Sequence, residues 1–295
     1  MEILNNLSKY PTGVALILGF FDGIHLGHKA VISQAVDYAK KNNAKIVLIT
    51  FKTSPKEYFT NIAEYILPRK NAYNLIENFG VDYLLELDFG SVVNLSAEQY
   101  LEKFLVERFK PISITTGFNH TFGKNKKGTP EFLRINAERL GYKYFCVEPI
   151  VFNNKIVSST LIKEYLKQGI VENSNELLET NFKLISTVIK GNAIGRKLGF
   201  PTANLLYPDK IIKLPYGVYK VMANGIPAVL NWGVKPTVEG KIPLLEAHLI
   251  NFEGDLYDKE LEIEFINKIR DEKKFNSLEE LQNQIKKDIG ECLKL

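Results

Sequence analysis

Two of the four histidines in this chain, His25 and His28, stand three residues apart in the stretch "GFFDGIHLGHKAVI" (19–32). An apolar strand pattern gives way there to a helical one. A helix start carries free N–H groups and the positive end of the macrodipole, so it repels cations and attracts anions. Imidazolium groups suit that place when the partner is a polyphosphate, whose charge offsets the dipole. Gly23 and Gly27 would let the backbone approach such a ligand closely. The plain alternative is two neutral surface histidines in a loop.

A second stretch, "GNAIGRKLGFPTANL" (191–205), spaces Gly191, Gly195 and Gly199 by four and encloses Arg196 and Lys197. No Gly-Lys-Ser/Thr follows, so this is not a P-loop. A glycine-rich turn with two cations is compatible with phosphate binding. Thr202 and Asn204, two apart on an extended segment, share a face, and their neutral oxygens can join ATP phosphates around Mg2+. The alternative is a capped turn in which both side chains bond only the backbone. Glu246 lies within the apolar strand "PLLEAHLI", where an acid is costly without a role or a partner. A positioned carboxylate is what proton removal from an alcohol during phosphorylation needs. His248 shares its face and is expected to be a hydrogen-bonded core histidine. Asp88-Phe89-Gly90 spells a protein-kinase triplet without its partner motifs, so a strand end and turn are expected.

These residues need elements to hold them. The first half alternates strand patterns (14–20, 45–51, 81–87, 112–117, 142–149) with helical ones. Ser96 and Gln99 form a capping box ahead of a helix whose Ala97, Tyr100, Leu101 and Phe104 share a face. Thr129 and Pro130 read as N-cap and first residue of another helix, and Gly141 as its stop. Such alternation predicts a Rossmann-like parallel sheet with helices on both faces, and ligands outside the carboxyl ends of its strands. After about Lys183 strand-like runs follow one another with turns between them, and Asn224-Gly225 marks a hairpin. That predicts an antiparallel β-barrel. A terminal helix should begin at Ser277, boxed with Glu280, and present Leu278, Leu281, Ile285 and Ile289. The seam is expected in the polar stretch 168–182.

The 295 residues suggest two domains. A formal charge of +4 without an arginine-rich block argues against nucleic acid and fits a phosphorylated substrate. The two cysteines lack metal-ligand spacing, and neither a signal pattern nor a membrane-length apolar run is visible, so a cytoplasmic protein is expected. Oligomeric state stays open.

The first stretch resembles the G-x-F-D-G-x-H-x-G-H motif of the adenylyltransferase module in the bacterial bifunctional riboflavin kinase/FMN adenylyltransferase (FAD synthetase) family. It contains the wider H-x-G-H signature of nucleotidyltransferases. "GFNHTFGKNKKG" (117–128) and "VSSTLIKEYL" (157–166) are similar to later motifs of that module, and "GxxxGRxLGFPTAN" resembles the riboflavin kinase signature. "YGVYKV", "NWGVKPT", "LEAHLINFEGDLYDK" and "IRDEKKFNSLEELQNQIKKDI" follow in that family's order. The resemblance covers nearly the whole chain.

It implies an FMN adenylyltransferase domain at 1–180 and a riboflavin kinase domain at 181–295. The substrates would be riboflavin, FMN and ATP, with Mg2+ at each site and FAD as product. In the first domain it implies catalysis by His25, His28 and Asn119, with the basic loop 124–127 as a further donor. ATP would be held there by Gly19, Phe20, Asp22, Gly23, Ser159, Thr160 and Lys163. In the second it implies Glu246 as base, Thr202 and Asn204 on the metal, and Gly191, Arg196, Lys197, Gly199 and Pro201 on ATP. Arg270 and Phe275 would contact flavin. Three departures stand out: His120 replaces an aromatic, "FKTSPKE" lacks the histidine of a P-H-P segment, and Lys163 replaces arginine. Two alternatives remain open at this point, a riboflavin kinase with a weak or inactive first module and a non-catalytic flavin or nucleotide sensor.

Overall fold

The structure is a computed structural model that describes residues 1–4, 10–191, 195, 198–237 and 240–294. Arg196 and Lys197 lie outside the described residues. The chain forms two compact units, Met1–Ala63 with Pro68–Ser159, and Glu64–Leu67 with Thr160–Leu295.

The first unit is the expected parallel sheet. Its strands are β1 (Glu2–Ile3), β2 (Ala15–Leu18), β3 (Ile46–Phe51), β4 (Tyr83–Leu87), β5 (Ser113–Gly117) and β6 (Lys143–Val147), in the order β1-β4-β3-β2-β5-β6. Every pairing is parallel. Continuous apolar runs are required because both faces are covered. Leu16, Leu18, Val47 and Ile49 face one core with Leu101, Phe104 and Leu133. Ala15, Ile17, Ile46 and Leu48 face the other, with Ile32, Val36, Ala72 and Ile76.

Local chemistry sets the helix ends. Ser96 N–H donates to Gln99 Oε1 at 2.9 Å and Gln99 N–H to Ser96 Oγ at 3.1 Å, completing the expected box. The helix that follows winds in wider π-helical turns over Gln99–Val106, which lets Leu105 join Tyr100, Leu101 and Phe104 on the buried face. Thr129 Oγ1 accepts from Phe132 N–H at 3.1 Å, and Gly141 stops that helix at φ +75°.

The second unit is a closed antiparallel barrel. Its strands are β9 (Phe182–Ile189), β10 (Ala203–Leu205), β11 (Gly217–Ala223), β12 (Ile226–Thr237), β13 (Gly240–Leu249) and β14 (Glu260–Arg270), in the order β10-β13-β12-β11-β14-β9. β7 (Val151–Phe152) and β8 (Lys155–Ile156) form a separate hairpin in the first unit. Asn224 and Gly225, at φ +47° and +78°, make the two-residue turn between β11 and β12.

Three sequence expectations need correction. The stretch expected as a polar seam contains a helix, Val171–Leu178, with Val171, Ser174, Leu177 and Leu178 buried. Its Asn175 accepts from Phe182 N–H at 2.8 Å and donates to the Phe265 carbonyl at 2.8 Å, so side-chain polarity there serves the barrel instead of solvent. The residues 64–67, from the first half of the chain, are grouped with the barrel: Tyr65 N–H donates to Lys210 O and its carbonyl accepts from Ile212 N–H. Leu278 is 64% exposed, because the terminal helix (Leu278–Leu293) buries Asp288 and Cys292 and leaves its first turn out.

A fragment beginning at Thr160 should therefore resist denaturant better than one beginning at Asn181. The two bonds of Asn175 to the barrel contribute about 1–3 kcal/mol, and both fragments lack residues 64–67 equally. Urea unfolding followed by Trp232 fluorescence measures the difference.

Candidate active sites

The first cluster forms where the strand order reverses. β2 and β5 are neighbours, β3 and β4 extend the sheet one way and β6 the other. The loops leaving the carboxyl ends of β2 and β5 flank the crevice where such sheets bind ligands. The β2 loop carries Gly19, Phe20, Asp22, Gly23 and His25, and the β5 loop carries Asn119, which is exposed. Gly23 has φ +87°, and Ile24 has φ +49°, a left-handed backbone that a β-branched residue adopts only under constraint. Ser159 Oγ donates to the Asp22 carbonyl at 3.0 Å, tying the start of the Ser159–Gln168 helix to this loop. Thr160 is exposed and Lys163 half-buried in the first turns of that helix.

His25 caps the first helix (Leu26–Lys41): its Nδ1 accepts from His28 N–H at 3.3 Å. An accepting Nδ1 carries no proton, so the ring is the neutral Nε2–H tautomer. The His28 ring stacks on it with centroids 3.7 Å apart. Burial lowers the His25 pKa to about 4, and burial with the charge of His25 holds His28 well below its ordinary value. The imidazolium charge read from sequence is thus absent until an anion supplies a reason for it. Gly27 has a second use, since a Cβ there would lie 3.2 Å from the His25 ring.

In the β5 loop, Phe122 and Gly128 exchange backbone hydrogen bonds of 3.1 and 2.9 Å, which closes a turn carrying exposed Lys124, Lys126 and Lys127. His120 stacks near Phe122, and burial lowers its pKa to about 4.

Sequence reading missed Arg69. It begins the Arg69–Asn78 helix, lies 5.0 Å over the Phe20 ring, and donates to the Phe51 carbonyl at the end of β3. Its signal was the same as that of the histidines, a cation at a helix start.

The second cluster lies on the outer face of the barrel. Along β13, Leu245, Ala247 and Leu249 point inward and are buried, while Glu246 and His248 point outward and are half-buried. Glu246 is therefore not in the core, and neither is His248; its Nδ1–H donates to the Pro201 carbonyl at 2.8 Å. Pairing sets Glu246 directly opposite Asn204 of β10 on one side and Asn231 of β12 on the other. Asn231 was not singled out from sequence, because only register reveals it. A Cβ at Gly195 would lie 2.4 Å from the Phe200 carbonyl, so the backbone itself excludes a side chain there, while one at Gly191 would lie 2.4 Å from the Asn204 amide, which would have to move. Gly199, at φ +84°, turns the chain toward Pro201.

The terminal helix crosses this face, with Cys292 and Ile289 packed on Val218, Val229 and Ile250. Between helix and barrel lies a cavity of about 300 Å3 lined by Thr202, Asn231, Glu246, His248, Arg270 and Phe275, among others. A second cavity of about 380 Å3 lies on the other side of Thr202, lined by Val188, Pro201, Leu249, Phe252 and Tyr257. Thr202 belongs to both. Such a pair can hold two reactants with their reacting ends meeting at Thr202 and Glu246.

Comparison with known proteins supplies the chemistry. Residues 7–161 match the family model for FAD synthetase, and residues 178–295 the model for riboflavin kinase. A Buchnera aphidicola (from Schizaphis graminum) bifunctional riboflavin kinase/FMN adenylyltransferase is 34% identical over 297 residues, covering 97% of this chain and 95% of the relative. The Bacillus subtilis protein of the same name is 34% identical, covering 95% and 91%. A solved Streptococcus pneumoniae structure, described as a macrolide-efflux protein, superposes with TM-score 0.90 at 29% identity over 99% of this chain and 98% of that one. Among the described residues no helix is long and apolar enough to cross a membrane.

The buried histidines make stability pH-dependent. Between pH 6.5 and about 4 the unfolded chain protonates His25 and the folded chain does not, so stability is full above 6.5 and falls as pH drops through that window. His25→Asn, which keeps a capping side chain, should lessen the loss by up to about 3 kcal/mol at pH 4. Thermal melts between pH 4 and 8 read this out.

Proposed function

The chain belongs to the family of bifunctional riboflavin kinase/FMN adenylyltransferases, and on that premise we propose how its residues divide the two reactions. It phosphorylates riboflavin with ATP to give FMN, then transfers the adenylyl group of a second ATP to FMN, giving FAD and pyrophosphate. We assign the second step to residues 1–180 and the first to residues 181–295. A chain using these substrates with two free cysteines fits a cytoplasmic location.

The observation that carries the kinase assignment is Glu246, set between Asn204 and Asn231 by strand register, with Glu246 and Asn231 lining a cavity together with Thr202, Arg270 and Phe275. Riboflavin's terminal hydroxyl gives its proton to Glu246 as its oxygen attacks the γ-phosphorus and ADP departs. Arg270 and Phe275 flank the flavin. Gly191, Gly199 and Pro201, with Arg196 and Lys197, hold the nucleotide. Thr202 and Asn204 would hold Mg2+: both offer neutral oxygens, and the Asn204 carboxamide is seated over Gly191 at a position 8% exposed. Mg2+ bound there neutralises charge on the transferring phosphates.

At the crevice of the parallel sheet the nucleophile is already an anion, so no strong base is needed. An FMN phosphate oxygen attacks the ATP α-phosphorus and pyrophosphate leaves. His25 and His28, neutral when the site is empty, take up positive charge beside the triphosphate, and with Asn119 they stabilise the charge that develops. Gly19, Phe20, Asp22, Gly23, Ser159, Thr160 and Lys163 hold the ATP of this step.

Incubation with riboflavin, ATP and Mg2+, followed by chromatography of the flavins, tests the assignment. Glu246→Gln should slow FMN formation roughly 10²–10⁴-fold; near-normal FMN output would remove Glu246 from the mechanism. Replacing His25 and His28 with Ala should abolish FAD formation while FMN formation continues. Lys163→Arg should raise FAD turnover with little change in ATP affinity, because a guanidinium fixes two phosphate oxygens where an ammonium supplies charge alone.

A further inference from the structure

One buried charge beside the flavin cavity has no part in the chemistry above. Asp288, on the terminal helix, has a side chain 3% exposed. It accepts from Arg270 Nε at 3.1 Å on Oδ1 and from Arg270 Nη2 at 2.8 Å on Oδ2, a two-pronged pair that fixes the guanidinium plane. Gln284, one turn earlier on the same helix, donates to Asp288 Oδ1 at 2.9 Å. Arg270 Nη1 donates to the Asp271 carbonyl at 3.0 Å, and the guanidinium carbon lies 5.9 Å from the centroid of the Phe275 ring. The same helix lines the cavity with Leu281 and Ile285.

The charge of Arg270 is already matched and the plane of its guanidinium is set by Asp288, which lines the same cavity. We propose that Asp288 is a positioning residue for riboflavin: it holds Arg270 beside Phe275 so that the pair receives the neutral flavin. This rests on the reading above that Arg270 and Phe275 contact the flavin. Because Asp288 sits on the terminal helix, the flavin site is assembled only when that helix is docked on the barrel.

The test uses the full chain, with riboflavin and ATP varied separately in FMN formation. Asp288→Asn should raise the riboflavin KM tenfold or more, with kcat and the ATP KM within about twofold of wild type, and FAD formation from supplied FMN unchanged. An unchanged riboflavin KM in the folded variant, whatever its melting temperature, overturns the inference. Removing one partner of a buried pair can unfold a protein, whereas replacing both with apolar groups is often tolerated. Arg270→Met is therefore compared with Arg270→Met combined with Asp288→Leu. If Asp288 acts through Arg270, the two share one riboflavin KM; a further rise in the double variant means that Asp288 acts independently and sinks the proposal. A wild-type chain that makes no FMN from riboflavin would instead remove the flavin reading on which the proposal stands.

Discussion

The kinase half of this protein depends on a short antiparallel contact, the pairing of Asn204 and Leu205 in β10 with Ile189 and Val188 in β9. It closes the barrel and leaves no free sheet edge. Closure also decides which side chains can do chemistry. Side chains alternate with period two, so a slip of β10 by one residue would turn Asn204 into the barrel interior and Ala203 and Leu205 to its outer face. With the register as it stands, Asn204 faces outward opposite Glu246, and its amide fills the space that a Cβ at Gly191 would take.

The result is a barrel whose interior is filled mainly by apolar side chains. Tyr219, Leu230, Leu245, Ala247 and Phe265 fill the inside and are fully buried. Asn231, Glu246 and His248 stand on the outer face, in a cavity also lined by the terminal helix and the segment leading to it. Glu246 is half-buried there and keeps contact with water.

The two sites handle buried charge in opposite ways. At the crevice of the parallel sheet, burial keeps His25 and His28 neutral, and charge is available only when a ligand stabilises it. On the barrel, Arg270 is permanently charged and is matched by Asp288. The first arrangement suits a polyanion that comes and goes. The second suits a neutral, planar ligand that needs a fixed surface.

Much of this was legible in the sequence, since local rules set it. Apolar runs long enough for a strand, the caps at Ser96, Thr129 and Ser277, and the Asn224-Gly225 turn predicted two architectures, and the motif residues pointed to two sites. The helix at Val171–Leu178 was read as a seam because its polar residues, Asn175 above all, find partners only in the folded barrel. Asn231 and the pairing of Asp288 with Arg270 went unnoticed for a related reason: Glu246 lies 15 residues from Asn231 and Arg270 lies 18 from Asp288, and no spacing rule links them. The burial that lowers the pKa of both histidines was not legible, because desolvation is a property of the packed environment, not of residue type. Sequence by itself determined the two architectures and most of their elements, because those depend on period, capping and composition. Tertiary structure alone decided which groups face one another and how much water each keeps, because register, closure and burial arise only when distant segments pack.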